Sequence, residues 1–324
     1  MRIFALQGSE ALGAAVAASI SCDLDPLEAR DFEDGEHKSR PLVSVRGEDV
    51  FVISSLAGSD GATVNDRLVK LLFFLATCRE NGAVQVTAVV PYLAYARKDR
   101  QTKRRDPVTT RYVAQLIEAA GTDRVITLDV HNVAAFQNAF RCESVHLEAR
   151  SMFVPRIHAL AGGLPVTILS PDGGGVKRAE LLRKRYEAVT GDPAGFGYME
   201  KRRSRGVVSG ELFAGEVAGT AVFIVDDMIS TGGTMRRAAA ACRARGAQAV
   251  FAVATHGLFG PGSDAMVGDP AVDRIVVSDT VPPAAATAVH SERIEIVSVA
   301  PLIGEAIHRL HIGSPLGDAT SLEA

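Results

Sequence analysis

Val222-Phe-Ile-Val-Asp226-Asp227-Met-Ile-Ser230-Thr231-Gly232-Gly233-Thr234 is the stretch on which the reading of this 324-residue chain turns. Its apolar, β-branched start reads as a buried strand, and the apolar spacing that begins at Thr234 reads as a helix. A strand that passes through a short loop straight into a helix is half of a βαβ crossover, the unit from which parallel sheets are built. The loop has a chemistry as well. Backbone N–H groups of Ser230–Thr234 at a helix N-terminus make a seat for a phosphate dianion, and Gly232 and Gly233 let a ligand come close to the main chain. Asp226 and Asp227, just upstream, suit the vicinal hydroxyls of a sugar. A glycine-rich turn alone is more often only a capped strand-to-helix turn. The paired acids and the hydroxyls of Ser230, Thr231 and Thr234 at this spacing favour a sugar-phosphate site.

Outward from this stretch the same alternation recurs. Val50–Ser54, Val84–Val90 and Val125–Leu128 read as strands, with helical spacing over Asn65–Cys78 and Val108–Ala120 between them. Val166–Leu169, Ala221–Val225, Val250–Ala254 and Arg274–Val277 read as a second set, with helices over Lys177–Tyr186 and Thr234–Arg245. The pattern restarts once, near Arg150, where a helix from about Ser151 opens the second half. The expected fold is therefore α/β, as two tandem domains, residues 1–150 and 151–324, each a mainly parallel sheet flanked by helices. Length agrees, because single hydrophobic cores stop growing beyond roughly 250–300 residues.

Hydrophobic residues make up 47% of the chain and charged residues 23%, which is ordinary globular usage. A net charge of −3 gives no whole-molecule field to gather nucleic acid or an anionic membrane, so an anionic ligand must be held by local groups. Cys22, Cys78, Cys142 and Cys242 form no CxxC pair and have no histidines at zinc spacing, which fits reduced thiols in a cytoplasmic protein. The apolar stretch Ala11–Cys22 follows Glu10 and one basic residue, Arg2, and reads as an amphipathic helix rather than a signal sequence. Leu68–Cys78 is too short for a bilayer, which needs about 20 apolar residues. Neither a nucleic acid nor a membrane is an expected partner.

Other segments carry chemistry. Pro91-Tyr-Leu-Ala-Tyr-Ala-Arg97-Lys98-Asp99-Arg100 sets Arg97 after a strand, where a guanidinium can grip a polyphosphate. Thr127-Leu-Asp129-Val-His131 ends a strand with an acid and a histidine suited to a Mg²⁺ shell or its water ligands, although a histidine there is commonly structural. Leu169-Ser170-Pro171-Asp172-Gly173-Gly174-Gly175 puts a carboxylate beside permissive glycines at another strand end, the place where open α/β sheets bind ligands. Met199-Glu-Lys201-Arg202-Arg203-Ser-Arg205 is a basic cluster after the expected strand Phe196–Met199, and such runs are usually solvated. No Walker motif occurs, so a nucleotide is held in some other way.

Taken together and in this order, these segments resemble those of the ribose-phosphate pyrophosphokinase family, from about Phe32 to Arg309. The strand–acids–loop segment resembles the phosphoribosyl pyrophosphate motif that the family shares with phosphoribosyltransferases, and the segments around Arg97 and His131 separate the two. The resemblance implies two phosphoribosyltransferase-like domains, and usually assembly into dimers and hexamers. It implies transfer of the β,γ-diphosphoryl group of ATP to the C1 hydroxyl of ribose 5-phosphate, with Mg²⁺. Residue by residue, it implies that Phe32, Asp34 and Glu36 of Phe32-Glu-Asp34-Gly-Glu36 form the adenine-binding turn, that Arg97, Lys98 and His131 meet ATP, and that His131 and Asp172 contact metal. Lys201 and Arg203 are then the catalytic cations, and Asp226, Asp227, Ser230, Thr231, Gly232, Gly233 and Thr234 bind ribose 5-phosphate. Lys98 departs from the family's usual glutamine, and Arg104 stands where phosphate-activated members carry serine. A catalytically silent homologue and a phosphoribosyltransferase are the rival readings.

Overall fold

The computed structural model describes residues 1–58, 61–204, 207–282 and 292–317, with the backbone alone at 201–204 and 207–211. In chain order the elements of the first half are β1 (Arg2–Ala5), α1 (Glu10–Ser19), β2 (Leu27–Asp31), β3 (His37–Pro41), β4 (Asp49–Ile53), α2 (Val64–Glu80), β5 (Gln85–Val89), α3 (Thr109–Ala119), β6 (Arg124–Leu128), α4 (Val133–Ala139) and β7 (Glu143–Leu147). Then follow α5 (Arg150–Ala161), β8 (Val166–Ser170), α6 (Val176–Thr190), β9 (Ala194–Ser204), β10 (Val207–Ala214), β11 (Ala221–Ile229), α7 (Gly233–Ala244), β12 (Ala249–Gly257), α8 (Asp264–Val267), β13 (Arg274–Ser278), β14 (Ile294–Val297) and α9 (Ala300–His311).

The chain divides into two compact units. One holds Met1–Glu148, Thr280–Pro282 and Val299–Ala324, and the other holds Ala149–Asp279 and Pro283–Ser298. The first crossing lies close to the expected Arg150. The tail does not follow the expected division: α9 packs on α1, where Ser19 Oγ donates to Ala300 O at 3.4 Å, so the last helix belongs with the first unit.

In the first unit the sheet order is β1-β4-β5-β6-β7, all parallel. Its strands are β-branched runs such as Val50–Ile53, which is fully buried, as parallel strands covered by helices must be. Phe4 and Phe74 meet edge to face, with ring centroids 5.3 Å apart, in its core. Helix α2 begins with a capping box: Thr63 Oγ1 accepts from Asp66 N at 3.2 Å, and Asp66 Oδ2 accepts from Thr63 N at 2.7 Å. Beside this sheet, β2 and β3 form a separate antiparallel hairpin.

In the second unit the order is β10-β9-β8-β11-β12-β13-β14. From β8 the chain runs through α6 to β9 on one side, and from β11 it runs through α7 to β12 on the other. The direction of winding therefore reverses between β8 and β11. With right-handed crossovers, α6 and α7 cover opposite faces, which opens a crevice at the carboxyl ends of these two strands. One face of the sheet packs a largely aliphatic core that includes Val222, Ile224, Val250 and Ala252, and at the alternate strand positions Phe223 stacks on Phe251 at 4.7 Å between centroids. The sheet is parallel except at one edge, where β10 runs antiparallel to β9. No described helix is long and apolar enough to cross a membrane.

Candidate active site

The crevice between β8 and β11 gathers the sugar-phosphate residues expected from sequence. Strand β11 pairs with β8 only as far as Ile224↔Leu169, but with β12 as far as Ile229↔Gly257. Asp226 and Asp227 therefore lie within the strand, not in the loop after it, on the stretch where β11 has parted from β8. Asp227 is buried, 3% exposed, and its N–H donates to Asp226 Oδ1 at 2.9 Å. Burial, and then the adjacent Asp227, push the Asp226 carboxyl up to about 7.

Across the crevice the loop after β8 folds on its own acid. Asp172 Oδ1 accepts from Gly174 N at 2.9 Å and from Gly175 N at 3.2 Å, and Ser170 Oγ donates to Asp172 O at 2.7 Å. A Cβ on Gly175 would sit 2.7 Å from Ser170 Oγ, so the turn closes only over glycine. Both of these carboxylate bonds fall on Oδ1.

The Ser230–Thr234 loop enters α7 through Gly232, which caps the helix at φ +74°. The first N–H groups of α7 lack intrahelical partners, the arrangement by which a helix start can receive an anion. The segment after β12, which carried no sequence signal, supports this loop. Leu258 N and Phe259 N donate to Ile229 O, at 2.9 and 3.1 Å, and Gly260 N donates to Ser230 O at 3.0 Å. Phe259 holds a left-handed φ of +41° to do so. Met266, fully buried, lies directly under Gly232.

Arg178 is a second residue that the sequence did not flag. It stands in the first turn of α6, where a cation opposes the helix dipole at a cost of about 0.3–1 kcal/mol. Its Nη1 donates to Asp226 Oδ1 at 2.9 Å and lies 3.5 Å from Asp227 Oδ1.

In the first unit the expected ATP residues sit at the carboxyl ends of β5 and β6 and on the hairpin. The loop after β5 is pinned to the start of α3, for the Thr109 and Thr110 hydroxyls both donate to Tyr95 O at 3.1 Å. Tyr95 and, after β6, Asp129 take left-handed φ values of +63° and +36°, the kind of backbone strain that clusters at functional loops. Asn132 joins the two loops: its Nδ2 donates to Asp99 Oδ2 at 2.5 Å, while its Oδ1 caps α4 by accepting from Ala135 N at 3.1 Å. Arg97 and His131 are exposed on these loops. The Lys98 ammonium turns onto its own loop, donating to Asp106 Oδ2 at 2.5 Å and Thr102 Oγ1 at 2.9 Å. Those contacts hold the Asp106 carboxyl well below the usual carboxylate range.

Phe32, Asp34 and Glu36 form the exposed tip of the β2–β3 hairpin, a turn in which Phe32 N donates to Glu36 O at 2.8 Å and Asp34 Oδ1 accepts from Glu36 N at 3.1 Å. The Arg30 guanidinium covers one face of the Phe32 ring, 5.0 Å from its centroid. The base of the hairpin is held to α2 by Lys70–Asp31 at 2.6 Å and by His37 stacked on Phe73 at 5.2 Å.

The basic cluster departs from its expected setting. Strand β9 continues to Ser204, so Lys201 and Arg203 lie within it, opposite Glu211 and Val208 of β10, and not beyond its end. Their side chains lie outside the described residues. His131 and Asp172, both expected at a metal, belong to different units. Among the described residues no group of three or more His, Cys, Asp or Glu side chains forms a protein-made metal cage.

A parallel sheet with paired acids and a glycine-capped helix start at its switch point defines the phosphoribosyltransferase-like class. Comparison with known proteins narrows this. Residues 1–121 match the model of the N-terminal domain of ribose phosphate pyrophosphokinase, and residues 211–319 match the phosphoribosyl synthetase-associated domain. A ribose-phosphate pyrophosphokinase of Hyphomonas neptunium is 35% identical over 311 residues, covering 96% of each chain. One from Caldanaerobacter subterraneus is 35% identical over 315 residues, covering 97% of this chain and 95% of that one. The crystal structure of phosphoribosylpyrophosphate synthetase from Mycobacterium smegmatis superposes with a TM-score of 0.84 at 29% identity, covering 97% of this chain and 99% of that one. The chain belongs to the ribose-phosphate pyrophosphokinase family.

Proposed function

We propose that this chain transfers the β,γ-diphosphoryl group of ATP to the C1 hydroxyl of ribose 5-phosphate, giving 5-phosphoribosyl 1-pyrophosphate and AMP. The observation that carries this is the convergence of Asp226, Asp227, the Asp172 turn and the Ser230–Thr234 loop at the β8–β11 switch point. In this reading the second unit holds the sugar: its 5-phosphate takes the N–H groups and hydroxyls of Ser230, Thr231, Gly232, Gly233 and Thr234, and its vicinal hydroxyls donate to Asp226 and Asp227. The first unit holds ATP, with Phe32, Asp34 and Glu36 at the adenine, Arg97 and His131 toward the phosphates, and Lys98 steadying the Arg97 loop through Asp106. The anomeric oxygen attacks the β-phosphorus in line and AMP leaves, so the work of the protein is positioning and charge neutralisation. Lys201 and Arg203 supply positive charge to the moving diphosphoryl group.

Mg²⁺ fits the donor set. It binds through one or two carboxylates plus substrate phosphates and keeps its waters, so a lone carboxylate such as Asp172 suits it where a protein-made cage would not be needed. Asp172 would contact it directly, with His131 at its shell, and the ion would neutralise phosphate charge. We also propose a homo-oligomer. Val69 and Phe73 on α2, and Tyr112 and Leu116 on α3, are exposed apolar residues at i,i+4 spacing on two helices whose crossovers run the same way over the sheet. Light scattering on the purified chain tests this. The reaction is tested by AMP release from ATP with Mg²⁺: it must depend on ribose 5-phosphate, and release that ignores the sugar would remove the proposal.

A further inference from the structure

Arg178 carries more than its place in a helix requires. It sits in the first turn of α6, where no acidic residue balances the helix dipole and a cation is disfavoured. A local rule broken in this way, without local compensation, marks a functional position. The compensation here comes from 48 residues away: Nη1 donates to Asp226 Oδ1 at 2.9 Å and lies 3.5 Å from Asp227 Oδ1, with 22% and 4% of the two acid side chains exposed. Two neighbouring carboxylates that are this enclosed repel one another, and each is drawn toward protonation or toward turning away. A guanidinium is charged at every working pH, so it offsets part of that repulsion and holds the Asp226 carboxyl aimed.

We propose that Arg178 is a positioning residue of the sugar subsite, fixing the Asp226 carboxylate and steadying Asp227 so that both accept the vicinal hydroxyls of ribose 5-phosphate. The proposal rests on the reading of Asp226 and Asp227 as the ribose acceptors. Arg178 makes a single, end-on bond to Asp226, so a lysine can supply the same charge and donor, whereas a neutral side chain of similar reach cannot.

The test compares the full chain with Arg178→Lys, Arg178→Gln and Arg178→Ala by steady-state AMP release, varying ribose 5-phosphate and ATP separately, alongside thermal melting. The Gln and Ala variants are expected to raise KM for ribose 5-phosphate at least tenfold while KM for ATP stays within threefold, and Lys is expected to restore the sugar KM to within about threefold. If Arg178 only staples α6 to β11, melting temperatures fall and neither KM separates from the other, which overturns the proposal. Should Ala not fold, the Lys–Gln contrast decides, and equal sugar KM values in those two also overturn it. A wild-type chain that releases no AMP with ribose 5-phosphate removes the reading of the site, and this proposal with it. A wild-type chain that turns over normally beside silent Arg178 substitutions removes the proposal alone.

Discussion

Replacing Gly232 by alanine strikes the Ser230–Thr234 loop where its backbone is left-handed and closely packed. The residue has φ +74°, and a side chain in that left-handed region costs roughly 1–2 kcal/mol. An added Cβ would also sit 2.3 and 2.4 Å from Met266 Cγ and Cβ, and Met266 is fully buried, so it cannot swing into solvent. Overpacking of this kind costs about 1–3 kcal/mol, which brings the total to about 2–5 kcal/mol. For a unit of this size that is a fall in melting temperature of roughly 5–15 °C. Gly233 is the internal control, since a Cβ there meets nothing nearer than Arg237 Nη1 at 3.8 Å, and Gly233→Ala should leave stability within about 0.5 kcal/mol. Gly232→Ala should also displace the loop, and a shift of about 1 Å is enough to cost roughly a hundredfold in kcat/KM for ribose 5-phosphate. Met266→Ala opens a cavity of its own, but the double substitution should lose about 0.5–3 kcal/mol less than the sum of the single ones, because it relieves the clash. Thermal melts and sugar-phosphate kinetics on the four proteins decide. A Gly232→Ala melting curve that overlays the wild type, or strict additivity with Met266→Ala, would refute the packing argument.

Asp227→Asn should raise KM for ribose 5-phosphate by the equivalent of about 1.5–3 kcal/mol, the worth of a hydrogen bond to a charged acceptor, with KM for ATP little changed; separate substrate titrations check it. Asp226 gives a pH signature. Its native carboxyl titrates near 7 against an ordinary value of 3.8, so the folded state holds a proton that the unfolded state has released, and stability should fall as pH rises from about 4 to about 7. Asp226→Asn should flatten that part of the denaturant-derived stability profile, and an unchanged slope would speak against the raised pKa. Lys201→Ala should lower turnover by about 10²–10⁴ while both Michaelis constants stay within a few-fold, as expected for a donor used only while charge moves. Nearly normal kinetics would return this residue to the solvated surface.

The candidate site was legible in sequence where it lies in one contiguous stretch. Asp226 to Thr234 and Ser170 to Gly175 each carry strand, turn and helix start together, so their residue types alone suggested a phosphate seat and a carboxylate beside permissive glycines; that the second turn closes on its own acid was not legible. Strands β4, β5, β6, β8, β11, β12 and β13 were legible for the same reason, as continuous β-branched runs. The hairpin was not legible as strands, because Leu27–Asp31 and His37–Pro41 are polar on exposed faces and show no clean alternation. Helix α9 carries an apolar face, but such a face does not say which core receives it, so its return to α1 was hidden. The partnership of Arg178 with Asp226, and the support of Gly232 by Met266, join residues distant in sequence. Only a broken local preference at Arg178, and the bare glycine at 232, hinted at them.

In the proposed function a diphosphoryl group moves as a unit to C1 of ribose 5-phosphate. That transfer is tested most directly by ³¹P NMR of the reaction of ATP, Mg²⁺ and ribose 5-phosphate with the purified chain, using ATP labelled with ¹⁸O on the β- and γ-phosphoryl groups. AMP is expected in equal amount with a sugar product that carries two coupled phosphorus resonances at C1, both bearing the label. Formation of ADP with a single labelled phosphoryl on the sugar, or no sugar-dependent product at all, would contradict it.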